Sequence, residues 1–179
     1  MTKRALVFPA ICLLYAAFLS AQEHASQGSM VASSPQWERI KSLVGEWDGY
    51  AMENGKKMPA RISVRITAGG SAVMHQIDVG TSHEMVTMFH MDQAELLATH
   101  YCSAHNQPRL RATLSAKPAQ VAFEFKDGTN IRPGDGYMRQ LVLTFVDADH
   151  HNETWGYDNN GKIEAGSFFM TRVKRPAQQ

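Results

Sequence analysis

Cysteine is nearly absent from this sequence, and its scarcity excludes a whole class of folds. Only Cys12 and Cys102 occur in 179 residues, and Cys12 lies in an N-terminal apolar stretch that we expect to be cleaved. A mature chain with one cysteine cannot form an intramolecular disulfide or a cysteine-rich metal site. The fold must therefore be held together by its hydrophobic core.

An excess of either charge sign is also missing. The chain has 18 Lys and Arg residues against 17 Asp and Glu residues. A nearly neutral chain offers no electrostatic basis for holding nucleic acid or an acidic membrane surface. We therefore expect no nucleic-acid partner.

Long apolar runs are confined to the N-terminus. Lys3 and Arg4 precede an uncharged, mostly apolar stretch at 5–19, and two small residues follow it. This pattern is typical of a secretory signal peptide, and a stretch of about 15 residues is too short to span a bilayer. We predict a signal peptide at 1–21, a flexible leader at 22–34, one domain at 35–175 and a disordered tail at 176–179. The protein is expected to be exported, periplasmic or extracellular, with no membrane span.

Common catalytic signatures are absent as well. The sequence has no Gly-x-Ser-x-Gly elbow, no His-Glu-x-x-His zinc motif, no phosphate-binding loop and no dinucleotide fingerprint. His100 and Cys102 could form a nucleophilic pair in principle, but no acid lies nearby to orient them. No residue is therefore assigned a catalytic or metal-binding role.

Turn residues and alternating apolar positions divide the chain into one helix and ten strands. Ser34 can cap a helix that begins at Pro35 and places Trp37, Ile40, Leu43 and Val44 on one face before Gly45 ends it. Alternation then predicts strands of about eight to ten residues. They cover 46–53, 60–68, 71–79, 83–91, 96–103, 109–116, 120–126, 137–147, 152–158 and 163–174.

Hairpin connections between these strands predict an all-β fold. Without a second helix to serve as a crossover, neighbouring strands must be antiparallel. Ten strands in unbroken succession favour a closed up-and-down barrel with one short N-terminal helix at its end. A β-sandwich is the alternative, because strand count alone does not separate the two.

A short motif links the helix to the first strand. Gly45, Trp47 and Gly49 form a Gly-x-Trp-x-Gly sequence at this junction. A short helix, this motif and ten following strands resemble the calycin superfamily, which comprises lipocalins, fatty-acid-binding proteins and nitrobindin-like barrels. The resemblance implies that the tryptophan closes the barrel floor and that a small apolar or haem-like ligand lies inside. Nitrobindin-like proteins carry their haem-ligating histidine near the C-terminal strand, and 167–172 contains none.

Two predicted turns bring three polar residues into one row. If 80–82 and 92–95 are turns, His75 lies opposite Thr87, and Thr87 lies opposite His100. Apolar neighbours on the same face indicate that this row points into the barrel. The row could be an internally satisfied core feature, a ligand contact or, less simply, a metal site. The predicted ligand-binding residues are Trp47, His75, Met85, Thr87, Phe89, His100 and Cys102.

Other polar groups have simpler interpretations. His90 and His105 are expected outside the barrel or in loops, and His150 with His151 in a solvated turn. The numerous methionines suit an adaptable binding wall, since strand alternation prevents Met74 and His75 from converging on a copper ion. The polar stretch at 105–109 is either a surface turn or a loop at the barrel mouth that contacts a ligand.

The sequence thus supports three functional hypotheses. The first is an exported barrel that binds a small, largely apolar ligand in its interior. The second is a haem-binding protein, or a small acid–base enzyme that uses His75 and His100. The third is an interaction module whose interior holds no ligand.

Overall fold

The computed structural model describes residues 34–115 and 117–174. The predicted signal peptide at 1–21, most of the leader at 22–34 and the tail at 176–179 lie outside the described residues. No helix in the described part of the chain has the length and apolar character needed to cross a membrane.

The single α-helix, α1, spans Pro35–Ser42 and begins as the sequence predicts. The Ser34 side chain accepts a hydrogen bond from the Trp37 backbone N–H, and Pro35 occupies the first turn. Trp37, Ile40 and Leu43 are buried. Val44 was predicted on the same face but does not join it. The helix ends at Ser42, so Val44 lies beyond its last turn and is 38% exposed.

All ten predicted strands are present, several with different ends. They are β1 Gly45–Glu53, β2 Lys56–Thr67, β3 Ala72–Ile77, β4 Met85–Asp92, β5 Glu95–Tyr101, β6 Gln107–Thr113, β7 Gln120–Thr129, β8 Tyr137–Phe145, β9 His150–Asn159 and β10 Lys162–Arg172. The largest differences are at the start of β2, which extends over 56–59, and at the end of β7, which extends over 127–129.

The strands close into a barrel. Each strand pairs antiparallel with the next, and β10 returns to pair with β1 from Trp47 and Arg172 onward. Closure satisfies both edges of the sheet, so the β-sandwich alternative is wrong. The Asn54-Gly55 and Asn160-Gly161 turns have positive φ at both residues, as tight hairpins require.

One predicted break is wrong. Asp127 and Gly128 do not end β7, which continues to Thr129 and pairs with β6 as far as Gln107. A register shift between Arg109 and Leu110 accommodates one extra residue in β7. The turn-like dipeptide therefore lies inside a bulged strand.

The two ends of the barrel differ. At the end where β1 begins and β10 finishes, here called the helix end, Trp47 is buried and donates from Nε1 to the Leu43 carbonyl at 2.8 Å. The predicted place of Trp47 at the barrel floor is thereby confirmed. The opposite end, at the β1–β2 hairpin, is called the far end.

Candidate functional site

The three-residue polar row lies inside the barrel, as predicted. His75 pairs with Thr87 across β3 and β4, and Thr87 pairs with His100 across β4 and β5. None of the three is more than 1% exposed. Thr87 Oγ1 and His100 Nδ1 are hydrogen-bonded at 2.8 Å, so part of the row satisfies itself.

A glutamate on β9 completes this cluster from the other side of the barrel. Glu153 Oε1 accepts from His75 Nε2 at 2.8 Å and from His151 Nε2 at 3.1 Å. Its Oε2 accepts from Trp155 Nε1 at 2.9 Å. The carboxylate is completely buried and receives three N–H donors. We call His75, Thr87, His100, His151, Glu153 and Trp155 the interior cluster.

Three members of this cluster, His151, Glu153 and Trp155, were not predicted from the sequence. His151 was expected in a solvated turn, but it belongs to β9 and is buried, whereas His150 lies outside and contacts Asp147 at 2.9 Å. Glu153 was not chosen as a site residue. Their common signal is period-two alternation with Trp155, which places all three on the inner face of β9.

Burial and charge determine the protonation of the cluster. Burial by itself would raise the pKa of Glu153, but the charge of His75 and hydrogen bonds from His151 and His75 outweigh it and hold that pKa far below its usual range. Burial, reinforced by the charge of His75, lowers the pKa of His100 to about 3, against an opposing effect of Glu153. Glu153 is therefore ionised and His100 neutral near neutral pH.

Three ring nitrogens of the cluster have no partner. His75 Nδ1, His100 Nε2 and His151 Nδ1 are buried and make no hydrogen bond. The rings pack against aromatic neighbours: His151 on Trp47 at 4.2 Å, His100 on Trp155 at 4.8 Å and His75 on Phe89 at 6.1 Å between centroids. Unsatisfied buried polar atoms cost about 1–3 kcal/mol each, so stability alone gives no reason for them.

The cluster fits neither a metal nor haem as it is packed. Within residues 34–115 and 117–174, no group of three or more His, Cys, Asp or Glu side chains is arranged to hold a metal ion. Haem needs an imidazole nitrogen facing open space, but His75, His100 and His151 are each at most 1% exposed. No haem chemistry is therefore assigned to these residues.

Partly buried apolar side chains rest on the core at both ends of the barrel, with Met91, Ala112 and Phe145 toward the helix end and five others at the far end. The inner-face residues there are partly buried and rest on the core: Ala51, Met85, Phe125, Met138 and Phe168. We call these five residues the far-end ring. Met85 lies two residues before Thr87 on the same face of β4, so the ring sits directly beside the interior cluster.

The remaining predicted site residues lie at different positions along the barrel axis. Cys102 is a free, half-buried thiol just beyond β5, and burial raises its pKa, which disfavours the thiolate. Phe89 is buried against Phe123 with centroids 5.5 Å apart, and Trp47 lies at the helix end. The structure therefore brings together His75, Thr87 and His100, with Met85 and Phe89 on either side of Thr87 in β4. Trp47 reaches this group only through His151, and Cys102 lies beyond the end of β5.

The polar stretch at 105–109 is not a long loop, because only His105 and Asn106 lie in the β5–β6 connection and β6 begins at Gln107. Asn106 is buried and donates from Nδ2 to the Gly136 carbonyl at 2.8 Å. Gln107 Oε1 accepts from Thr129 Oγ1 and Asn130 Nδ2. These bonds fix the hairpin to neighbouring segments of the barrel.

No protein-family model matches the sequence, and no curated protein matches it either. Solved structures do match. Rv2717c from M. tuberculosis aligns with a TM-score of 0.54 and 13% identity over 80% of this chain and 100% of its own.

A protein of unknown function from the DUF3598 family of Nostoc punctiforme PCC 73102 also aligns. Its TM-score is 0.54 at 15% identity, over 79% of this chain and 53% of the Nostoc protein, so this chain spans about half of that relative. At such low identity the likeness concerns the fold alone. The chain is thus a closed ten-stranded antiparallel barrel of a shape that solved structures share.

Proposed function

We propose that this protein is a calycin-like barrel that binds one small, largely apolar molecule through its far end. The observation that carries the proposal is the far-end ring, whose five inward apolar side chains stay partly exposed. At the helix end, Met91, Ala112 and Phe145 are also partly buried, but α1 covers that end, where Trp47, Ile40 and Leu43 are buried. An apolar recess with a few polar groups at its base is the usual composition of a small-molecule site.

The interior cluster supplies those polar groups. His75, Thr87 and His100 lie one layer below the ring, and each imidazole has one unpartnered nitrogen. Because these side chains are sealed from solvent, the ligand must displace a ring residue to reach them. Met85 is suited to this role, since its unbranched side chain repacks readily and leads directly to Thr87. Cys102 borders the same access, while Phe89 and Trp47 form the floor beneath the ligand.

A second candidate is an interaction module that holds no ligand. It is favoured by the burial of the whole cluster, in which no polar residue is more than 1% exposed. If this candidate is correct, small apolar molecules do not enter the barrel, and they show only non-specific association without saturation. One binding experiment therefore separates the two candidates.

The experiment uses Nile red, a neutral apolar dye whose emission rises in dry surroundings. Ala51 lies in the ring between Met58 and Phe168, and Ala51→Phe places an aromatic ring in the access path. Ala165→Phe is the matched control, because Ala165 is exposed on β10. We expect saturable binding of one dye per chain, weakened about tenfold or more by A51F and unchanged by A165F. Absence of saturable binding, or equal binding by both variants, would contradict the proposal.

We also propose that the protein is exported. The charged start at Lys3 and Arg4 and the apolar stretch at 5–19 support a cleaved signal peptide. N-terminal sequencing of protein recovered outside the cytoplasm should begin at Gln22. Recovery of chains that still begin at Met1 would contradict export by this route.

A further inference from the structure

A separate cleft lies on the outer surface of the barrel. It crosses the outer faces of β5, β6 and β7 and has a volume of about 720 Å³. Its lining includes Thr99, Tyr101, Gln107, Arg109, Asp127 and Thr129. Every one of these side chains can form hydrogen bonds, so the cleft differs chemically from the apolar far-end ring.

The bulge in β7 creates the charged part of this cleft. Phe125 faces the core, and strict alternation would turn Asp127 inward as well. The register shift opposite Arg109 and Leu110 instead pairs Asp127 with Arg109 on the outer face. Bulges often redirect a side chain in this way near functional sites.

Arg109 and Asp127 form a fixed and electrically neutral pair. Arg109 donates from Nε to Asp127 Oδ1 at 2.5 Å and from Nη2 to Oδ2 at 2.6 Å. The arginine holds the pKa of Asp127 below its usual range, so the carboxylate stays ionised. Each side chain is nearly half exposed, and each retains hydrogen-bonding capacity: N–H groups on the guanidinium and lone pairs on the carboxylate. A neighbouring donor and acceptor suit adjacent hydroxyl groups, each of which donates and accepts.

Tyr101 adds an aromatic surface beside this pair. Its side chain is 50% exposed at the end of β5 and makes no hydrogen bond or ring contact within the described part of the chain. Gln107 is held in place by Thr129 and Asn130, so the wall next to Tyr101 is already ordered. An open tyrosine ring next to oriented polar groups suits a ligand with an apolar face and a hydroxylated edge.

We propose that this outer cleft binds a neutral carbohydrate of monosaccharide to disaccharide size. A sugar ring presents C–H groups on its face to Tyr101 and vicinal hydroxyl groups to Arg109 and Asp127. The balanced charge of the pair disfavours phosphorylated or carboxylated ligands. A volume of about 720 Å³ lies within the range of small-molecule sites. This site is independent of the ligand in the barrel interior, and either can exist without the other.

The test is an NMR titration of the full-length mature protein with cellobiose, maltose and chitobiose as separate probes. Tyr101→Ala removes the aromatic surface and Asp127→Asn removes the charged acceptor. Asp48→Asn is the matched control, because Asp48 also forms an exposed pair, with Arg61 at 2.9 Å, on a different outer face. Exposed pairs contribute little to stability, so both Asp variants are expected to fold.

We expect saturable shifts with at least one disaccharide at millimolar concentration, and affinity about tenfold weaker or worse in Y101A and D127N. The D48N variant should bind as the wild type does. The proposal is overturned if none of the three probes gives a saturable response up to about 50 mM. It is also overturned if D48N weakens binding as much as D127N does.

Discussion

Arg172 ties the two chain ends of the domain together. Its guanidinium donates from Nη2 to Ser42 O, from Nη1 to Val44 O and from Nε to Ala148 O, at 2.7–3.0 Å. The same group lies 4.1 Å from the centre of the Trp47 ring. One side chain thus joins the end of α1, the β8–β9 turn and the barrel floor. No other amino acid offers this number of donors in a planar arrangement.

Replacing Arg172 should therefore be costly. We expect Arg172→Gln to lower the free energy of unfolding by about 2–4 kcal/mol, since three carbonyl groups and one cation–π contact lose their partner. The control is Lys174→Gln, because Lys174 is 77% exposed and pairs with Asp149 at the surface. That change should cost less than about 1 kcal/mol. Chemical denaturation of both variants gives the comparison, and equal losses would refute this role.

His100 should make stability depend on pH. In the folded state burial holds the pKa of His100 at about 3, whereas the side chain in the unfolded chain takes up a proton near its ordinary pKa of 6.5. The unfolded state therefore binds more protons between these values, and stability falls as the pH is lowered. Between about pH 6 and pH 4.5, His100 contributes a slope approaching about 1.4 kcal/mol per pH unit.

The variant His100→Gln should remove this contribution and give a shallower pH dependence than the wild type. The control variant is His105→Gln, since His105 is exposed in the β5–β6 turn and its removal should leave the slope unchanged. Denaturation curves across this pH range provide the slopes. An H100Q slope as steep as that of the wild type would show that His100 does not remain neutral in the folded protein.

At the scale of elements, α1 closes one end of the barrel through a narrow apolar face. Trp37 and Ile40 are buried on this face, and Gln36 Nε2 donates to the Thr113 carbonyl at 3.1 Å. An eight-residue helix is too short to be stable alone, so its structure depends on this packing. The helix is therefore better described as a plug of the barrel than as an independent element.

Truncating a side chain on the buried face of α1 should lower the free energy of unfolding much more than truncating an exposed side chain beside that face. Ile40→Ala should destabilise the protein by about 2–5 kcal/mol through lost burial and a residual cavity. Val44→Ala should cost less than about 1 kcal/mol, because Val44 is 38% exposed. Unfolding can be followed by tryptophan fluorescence, since Trp37, Trp47 and Trp155 are all buried. Similar losses for the two variants would argue against the helix as a plug.

The strands could be predicted wherever alternation and hairpin chemistry agree. The His75–Thr87–His100 row follows from two local turns, even though the β3–β4 connection is longer than predicted and leaves Val79 exposed. The start of β9 could not be predicted in this way. The polar residues Asp147, Asp149 and His150 favour a turn, so the predicted strand begins at 152, two residues later than the observed one. His151 was therefore assigned to solvent.

Contacts between side chains on opposite sides of the barrel could not be predicted from the sequence. His75 and Glu153 are 78 residues apart in sequence and lie on strands that are not neighbours. Hairpin registers align adjacent strands only, so they leave undetermined which inward side chains meet through the interior. The sequence signal for Glu153 is its period-two alternation with His151 and Trp155, and a carboxylate on that inner face requires donors nearby.

At the scale of the whole molecule, the barrel has one end closed by α1, a polar centre and a far end that no α-helix of the described residues covers. Closure of the sheet between β1 and β10 makes the wall continuous, so a ligand can reach the centre most directly along the barrel axis. The helix blocks this route at one end. A ligand of the barrel interior must therefore enter past the far-end ring.

Mass spectrometry of molecules extracted from natively purified protein tests this claim most directly. Wild-type protein, A51F and A165F would be purified without denaturation and extracted in parallel with organic solvent. We expect one reproducible apolar small molecule, near one per chain in the wild type and A165F and strongly depleted in A51F. Extracts that contain no such molecule, or the same amount of it in A51F, would contradict a ligand-binding barrel.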